Sequence, residues 1–343
     1  MTSRKSSFGS QAPGRMFMPL LLAAGLLLCL ISLGVGRYPL DLRDVFALLI
    51  AGLGGPAHGR DATLEQVFWQ LRLPRVLAAL MVGAALAASG ACLQRVFRNP
   101  LAAPELLGVS AGAALGAAIA IVAGAGVLML QGSAFAGGLI AIALVLGLGP
   151  LLPARDRLLG LILTGVAVSS LAGALLAALI AFADPRTSLP AISFWMMGSF
   201  SAIDPAALGG LAAALAFALV PLVLLRWRID ALALGDDEAH AMGVAPHRTR
   251  RWVVVLAALA TSAAVAVAGV IGWVGLIVPH LARMLVGAAF SRWVVASALL
   301  GAVFTLLIDT LGRAVGDIEL PPGVLAALLG APALFVLMRQ GSR

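Results

Sequence analysis

The sequence predicts an all-α integral membrane protein with ten transmembrane helices. Three observations carry that prediction. Of 343 residues, 62% are hydrophobic and 11% charged, whereas soluble domains carry roughly a quarter charged residues. Apolar runs of about 18 residues or more, the length a helix needs to cross lipid, recur along the whole chain. Glycine (39 residues) and alanine are abundant, which suits helices packed closely in a bilayer. A barrel would demand short alternating strands, which the sequence lacks, and helices satisfy their own backbone where no water is available.

The runs follow in order. The first, 17–35, comes after Arg4, Lys5 and Arg15 but exceeds a signal-peptide core, and no clear cleavage site follows, so it reads as a retained helix. Four more lie near 73–93, 106–130, 133–152 and 158–183. Asn99-Pro100 and Pro104 break the chain between the second and third, and Gly108, Gly112 and Gly116 then repeat along one face as a packing stripe. The sixth, 206–225, follows an outer segment, 184–204, that carries a short amphipathic piece from Ile192 to Phe200. Between Trp252 and Ala289 only Arg283 interrupts the apolar residues. One helix of that length would overshoot a ~30 Å core, so a break near Gly269, Gly272 and Gly275 divides it into spans 252–270 and 272–289. Spans 293–312 and 323–338 complete the set, a single transmembrane domain over 17–338 with tails at 1–16 and 339–343.

With the N-terminus inside, most of the 23 Lys and Arg residues fall on the cytoplasmic side, as topology rules require. Both termini are therefore expected in the cytoplasm. The net charge of +8 is then a record of topology rather than a nucleic-acid footprint. Cys29 and Cys92 both fall inside spans and give little support to a disulfide or a metal pair. A phosphate-binding Walker A loop needs a lysine, and the only lysine is Lys5. The chain has no ATPase site of its own.

The largest cytoplasmic loop, 226–251, holds a compact acidic segment, Leu232 to Val244. Asp236 is a suitable N-cap, while Asp237 and Glu238 put negative charge at the positive end of a short helix. Gly243 can close that helix in the left-handed conformation, and Pro246 suits the first turn of the next one. Local physics allows either a solvated turn or a rigid knob for a cytoplasmic partner.

Five ordered blocks resemble one known family. They are QLRLPRVLAALMVGAALAASGACLQRVFRNPLAAPELLGVSAGAALG (70–116), FWMMGSF (194–200), LGDDEAHAMGV (234–244), GWVGLIVPHLAR (272–283) and ELPPGVLAALLGAP (319–332). The sequence is similar to permease subunits of ABC importers for ferric siderophores, haem and vitamin B12. The resemblance implies a vitamin-B12-importer-type fold in a bacterial inner membrane, paired as a homodimer with the pathway between subunits. It also implies two copies of a separate ATPase that binds ATP and Mg, a substrate-binding protein docked outside, and no cofactor in this chain. By the same resemblance, Gly235, Asp236, Asp237, Glu238, His240, Ala241, Met242 and Gly243 form the helix that couples to the ATPase. Arg72, Arg75 and Arg313 would receive carboxylates of the binding protein, and Phe194, Trp195, Met196, Met197, Gly198 and Ser199 would gate the path.

The residues themselves leave alternatives. Arg72 and Arg75, flanking Pro74, can equally snorkel to headgroups, although an arginine fork suits a carboxylate. Asp309 lies four residues before Arg313, the spacing of a helical ion pair. Phe194 to Met197 can anchor in the headgroup zone instead. His280 stands alone and reads as structural, so no metal site is assigned. The expected cargo is an iron chelate, with cobalamin as an alternative. An ion-coupled secondary transporter is the rival class, and it would need ionisable residues at mid-membrane, of which only Asp309 is a marginal case.

Overall fold

The computed structural model of the chain describes residues 14–36, 38, 40–52, 62–151, 157–315 and 318–341. Most of the two expected tails, and Arg37, Arg60 and Arg155, lie outside the described residues. The described elements are helical throughout. In order they are α1 (Gly14–Gly34), α2 (Leu42–Gly52), α3 (Ala62–Gln66), a π-helical turn (Val67–Arg72) and α4 (Leu73–Val96). A 3-10 turn (Pro104–Leu107), α5 (Val109–Val122), α6 (Val127–Leu148), a second 3-10 turn (Gly149–Leu151), α7 (Arg157–Ala181), α8 (Ser188–Met196) and α9 (Pro205–Leu224) follow. The rest are α10 (Arg226–Leu232), α11 (Asp236–Ala241), α12 (Pro246–Ala268), α13 (Val274–Val286), α14 (Phe290–Ala314) and α15 (Pro322–Gly341).

Each expected span overlaps one of these helices, and 106–130 also takes in the start of α6. Seven are long and apolar enough to cross a membrane, while α5, α13 and Pro322–Leu337 within α15 are shorter. The 14 residues of α5 reach about 21 Å, less than a ~30 Å core. The reason lies in the breaks: Pro104 opens a 3-10 turn before α5, and Gly269 (φ 71°) and Trp273 (φ 71°) interrupt the chain before α13. Irregular backbone of this kind is tolerated in a membrane only where protein covers it. Here it is covered, because a Cβ at Gly275 would lie 3.2 Å from the Leu86 carbonyl oxygen and 3.3 Å from Pro104 Cδ. Both breaks thus meet on the same stretch of α4.

Helix α4 is the centre of the bundle and packs against α9, α12, α13 and α14. The most apolar window of Ala62–Val96 is 78% buried and that of α12 72%, against 22% for α1 and α9. The latter two therefore carry much of the surface that lipid or another chain must cover. Glycine sets the closeness of the central contacts. A Cβ on Gly83 would stand 2.2 Å from the Gly301 carbonyl oxygen, and one on Gly301 would stand 2.3 Å from that of Gly83, so α4 and α14 touch backbone to backbone. Gly112 and Gly116 do the same between α5 and α6. Gly108, the third member of the expected stripe, instead adopts φ 79° and precedes α5.

In lipid, where apolar surface gives helices little reason to associate, such contacts matter through van der Waals packing. Gly83→Ala should lower the stability of the purified chain by about 1–3 kcal/mol through overpacking. Gly210→Ala, which would meet nothing within 4 Å, should leave it unchanged or slightly raised. Paired thermal melts in detergent distinguish the two.

Candidate functional site

The acidic segment builds from its ends inward. The chain leaves α10 and enters α11 at Gly235, whose φ of 146° is open to glycine, with the Glu238 carboxylate folded over it (an added Cβ would lie 1.9 Å from Oε2). At the other end, Val244 N–H donates to Ala239 O at 2.9 Å and Gly243 N–H to His240 O at 2.9 Å. With Gly243 at φ 77°, this is a Schellman closure, and Pro246 begins α12 as the sequence suggests. Ala239 and Val244 are buried, while Asp237, Glu238, His240, Ala241, Met242 and Gly243 are exposed. The segment is a short helix seated on one apolar ridge.

One expectation is corrected here. Asp236 is not the N-cap, since Gly235 holds that position and Asp236 is the first helical residue. Its carboxylate turns toward the bundle, accepting from Arg250 Nη2 at 2.8 Å and lying 3.9 Å from Arg98 Nη2. A buried arginine on α12 thereby fastens the segment in place. Arg95 on α4 pairs in the same way with Asp230 on α10. Ile229, Leu232, Ala239 and Val244 share one core cluster with Val96, Val254 and Trp293, so the knob is continuous with α4, α12 and α14.

The FWMMGSF segment lies farther along the same helices. Phe194 and Met196 are exposed on α8, Trp195 and Met197 are half-buried, and Phe200 is buried. Gly198 turns the chain at φ 74°, so that Ser199 N–H donates to Ala268 O at 2.8 Å and Gly323 N–H donates to Met197 O at 3.0 Å. A Cβ on Gly323 would meet both Met197 O and Val270 O within 2.8 Å. The segment is thus clamped between the α12–α13 break and the start of α15.

Arg72, Arg75 and Arg313 converge at the opposite end of α4 from the acidic segment, all engaged within the chain. Arg75 reaches Asp309 at 2.9 Å and Glu319 at 2.9 Å. Arg313 forms the expected i,i+4 pair with Asp309, Nε to Oδ2 3.2 Å. Its other nitrogens donate to Ser32 Oγ, Ser32 O and Val35 O at the end of α1. Arg72 donates to Val35 O and Tyr38 O. The Asp309 side chain is 0% exposed, that of Arg313 2%, that of Arg75 12% and that of Glu319 34%. Sequence spacing revealed the Asp309–Arg313 pair. The Arg75 contacts, which join residues more than 200 positions apart, have no signal in spacing.

Sequence reading also missed Glu105. It lies in the 3-10 turn beside Gly275, and its Oε2 is buried without a hydrogen-bond partner. Placing the third span at 106 put it just outside, whereas the contact of Gly275 with Leu86 sets this turn about 20 Å along α4 from Leu73. The described residues contain no group of three His, Cys, Asp or Glu side chains able to hold a metal. Cys29 and Cys92 are free thiols.

Two outcomes follow from these charges. Asp309→Asn leaves two enclosed guanidinium groups facing a neutral amide, and breaking a buried pair costs about 3–5 kcal/mol. Glu319→Gln, at the wetter edge, should cost less than about 1 kcal/mol, and melts of both variants provide the check. At the other end, the Arg250 hydrogen bond holds the Asp236 carboxyl below its ordinary value, outweighing the opposing effect of burial, with Arg98 and His247 adding to the depression. A depressed acid stabilises the fold above its unfolded value and loses that contribution as pH falls through the folded one. A spin label at Ala241 should therefore keep constant mobility from neutral pH to the ordinary carboxylate range and loosen below it. In Asp236→Asn it should be mobile already at neutral pH.

Comparisons with known proteins agree with this geometry. The model of the FecCD transport family matches residues 22–340. The chain is 40% identical over 320 residues to the molybdate import system permease protein MolB of Haemophilus influenzae, covering 91% of this chain and 92% of that protein. It is 37% identical over 336 residues to the hemin transport system permease protein HmuU of Yersinia pestis, covering 95% and 96%. To the cobalamin import system permease protein BtuC of Halobacterium salinarum it is 39% identical over 303 residues, covering 86% and 79%. A solved structure described as an inward-facing metal-chelate type ABC transporter superposes with a TM-score of 0.84 at 37% identity, covering 95% of this chain and 99% of that one. The ion-coupled alternative falls with these matches. The family match and these relatives show that the chain is a membrane permease subunit whose ATPase is a separate protein, and that it belongs to the FecCD transport family.

Proposed function

We propose that the chain is the permease half of an ATP-driven importer in a bacterial inner membrane, crossing it ten times with both termini in the cytoplasm. It works as a homodimer with two ATPase subunits below and a substrate-binding protein above. The observation that carries this reading is α11, exposed on one side and fixed on the other to α12 by Asp236–Arg250 and to the turn after α4 by Asp236–Arg98, while Arg95–Asp230 ties the neighbouring α10 to α4. A force applied to Asp237, Glu238, His240, Ala241 and Met242 would pass through Asp236 and Arg250 to α12, whose 23 residues lead away from the knob. Helix α12 ends at the α12–α13 break, against which the FWMMGSF segment is clamped. ATP-driven approach of the ATPases would thus shift the gate and open the path to one side at a time.

The proposed cargo is an iron chelate. The gate segment offers aromatic and methionine side chains, soft surfaces suited to a cargo whose metal is already wrapped. The molybdate relative favours a second reading, a metal oxyanion. Docking of the binding protein is proposed at the arginine end. Glu319 forms the accessible edge there with Arg75 paired beneath it, while Arg72 and Arg313 hold the end of α1 and the ion cluster behind it.

Replacing Asp237 and Glu238 together by Lys puts positive charge at the positive end of α11. The inserted permease should then lose ATPase binding and uptake of labelled ferric chelate, and normal substrate-stimulated hydrolysis would refute coupling through α11. Arg75→Glu should weaken docking of the binding protein to the reconstituted permease by up to about 1.5–3 kcal/mol, less if the contact is wet. Basal ATP hydrolysis should persist in the variant where its melt matches wild type, because the knob is untouched, whereas a lowered melt would report loss of the Arg75–Asp309 pair. Unchanged affinity would assign Arg75 to structure alone.

A further inference from the structure

A groove of about 760 Å³ runs between α9 and α12, beside the acidic knob. Its walls are apolar, with Phe217 and Pro221 from α9 facing Trp252, Leu256 and Leu259 from α12. It is open sideways, since Phe217 is 70% and Trp252 52% exposed. At its knob end the lining changes to Arg228 and Arg248, both exposed. Among the described residues neither guanidinium has a hydrogen-bond or ion-pair partner. The order along the groove is thus apolar slot, interfacial tryptophan, paired cations, which is the order of an acyl chain, a glycerol region and a phosphate in one leaflet.

We propose that this groove is a binding site for an anionic diacyl phospholipid. One acyl chain would lie along Phe217, Leu256 and Leu259, the headgroup phosphate would bridge Arg228 and Arg248, and Trp252 would sit at the ester level. Charge complementarity selects the lipid: two arginines without a partner among the described residues attract an anionic headgroup at a membrane surface, and basic pockets between membrane helices have this chemistry. The apolar slot explains why the phosphate belongs to a lipid rather than to a free ion. Because Gly243, at the end of α11, also lines the groove, the bound lipid would brace the turn that carries the knob into α12. The site depends on the chain spanning a membrane and not on the identity of the cargo.

The test uses the full chain in nanodiscs of equal parts phosphatidylglycerol and phosphatidylcholine, with retained lipids counted by native mass spectrometry after release. Wild-type chain should retain phosphatidylglycerol in preference to phosphatidylcholine. Each arginine near a membrane surface should contribute about fivefold to that preference, so Arg228→Gln with Arg248→Gln should remove most of it. Arg226→Gln, an exposed residue next to the groove but not in its lining, should leave the preference intact. Matching melting temperatures in phosphatidylcholine alone will show that the double variant is folded. Equal phosphatidylglycerol retention by the double variant, or an equal loss in Arg226→Gln, would overturn the proposal in favour of diffuse surface charge.

Discussion

One carboxylate organises the arginine end of this protein. Asp309 is fully enclosed and lies between Arg75 and Arg313. In a low-dielectric interior an unpaired charge is costly and a well-bonded cluster holds its geometry. Around that group α14, α4 and the segment before α15 are drawn together, and Arg313 and Arg72 extend the grip to the last carbonyls of α1. Those carbonyls are left open where any helix ends, so the same arginines meet two needs, balancing charge and capping α1. Gly83 and Gly301 set how closely α4 and α14 approach, and this cluster joins the same two helices at one end.

The other end is held differently. Asp236 and Asp230 are partly exposed and tied to α12 and α4 by arginines, while the remaining acids of α11 face outward. A surface ion pair contributes little by itself, but the buried ridge of Ala239 and Val244 supplies apolar contact beneath it. Between the two ends lie breaks in α12–α13 and before α5, both resting on α4. Breaks with few intrahelical hydrogen bonds are where a packed bundle can bend, and the FWMMGSF segment, the proposed gate, is bonded directly to one of them. Rigid ends and a broken middle suit the alternating access proposed for this chain.

Much of this was legible in the sequence. The location of the helices followed from apolar length, the division of 252–289 from its glycines, and the closure of α11 from Gly243 and Pro246, because each is a local property of the chain. The two helices between α1 and the π-helical turn, α2 and α3, were not foreseen, since neither sits in a span. Long-range partnerships were hidden as well. Nothing in the spacing of Arg75 says that it will find Asp309 and Glu319, and nothing local says that Asp236 will turn from its own helix toward Arg250. Glu105 was missed because its depth depends on how α13 packs against α4. The family blocks carried the functional expectation, and the structure shows one of them, LGDDEAHAMGV, as a short helix tied to α12 through Asp236 and Arg250.

The central claim is that α11 moves as one body with α12 and transmits ATPase motion to the gate. In a cysteine-free assembled transporter, spin labels at Ala241 and Arg251 report the distance between α11 and α12, and labels at Phe194 in the two copies report the gate. On ATP binding the account predicts an unchanged, narrow distance within the first pair and a shifted distance between the second. A broadened or shifted α11–α12 distance with an unmoved gate would contradict it.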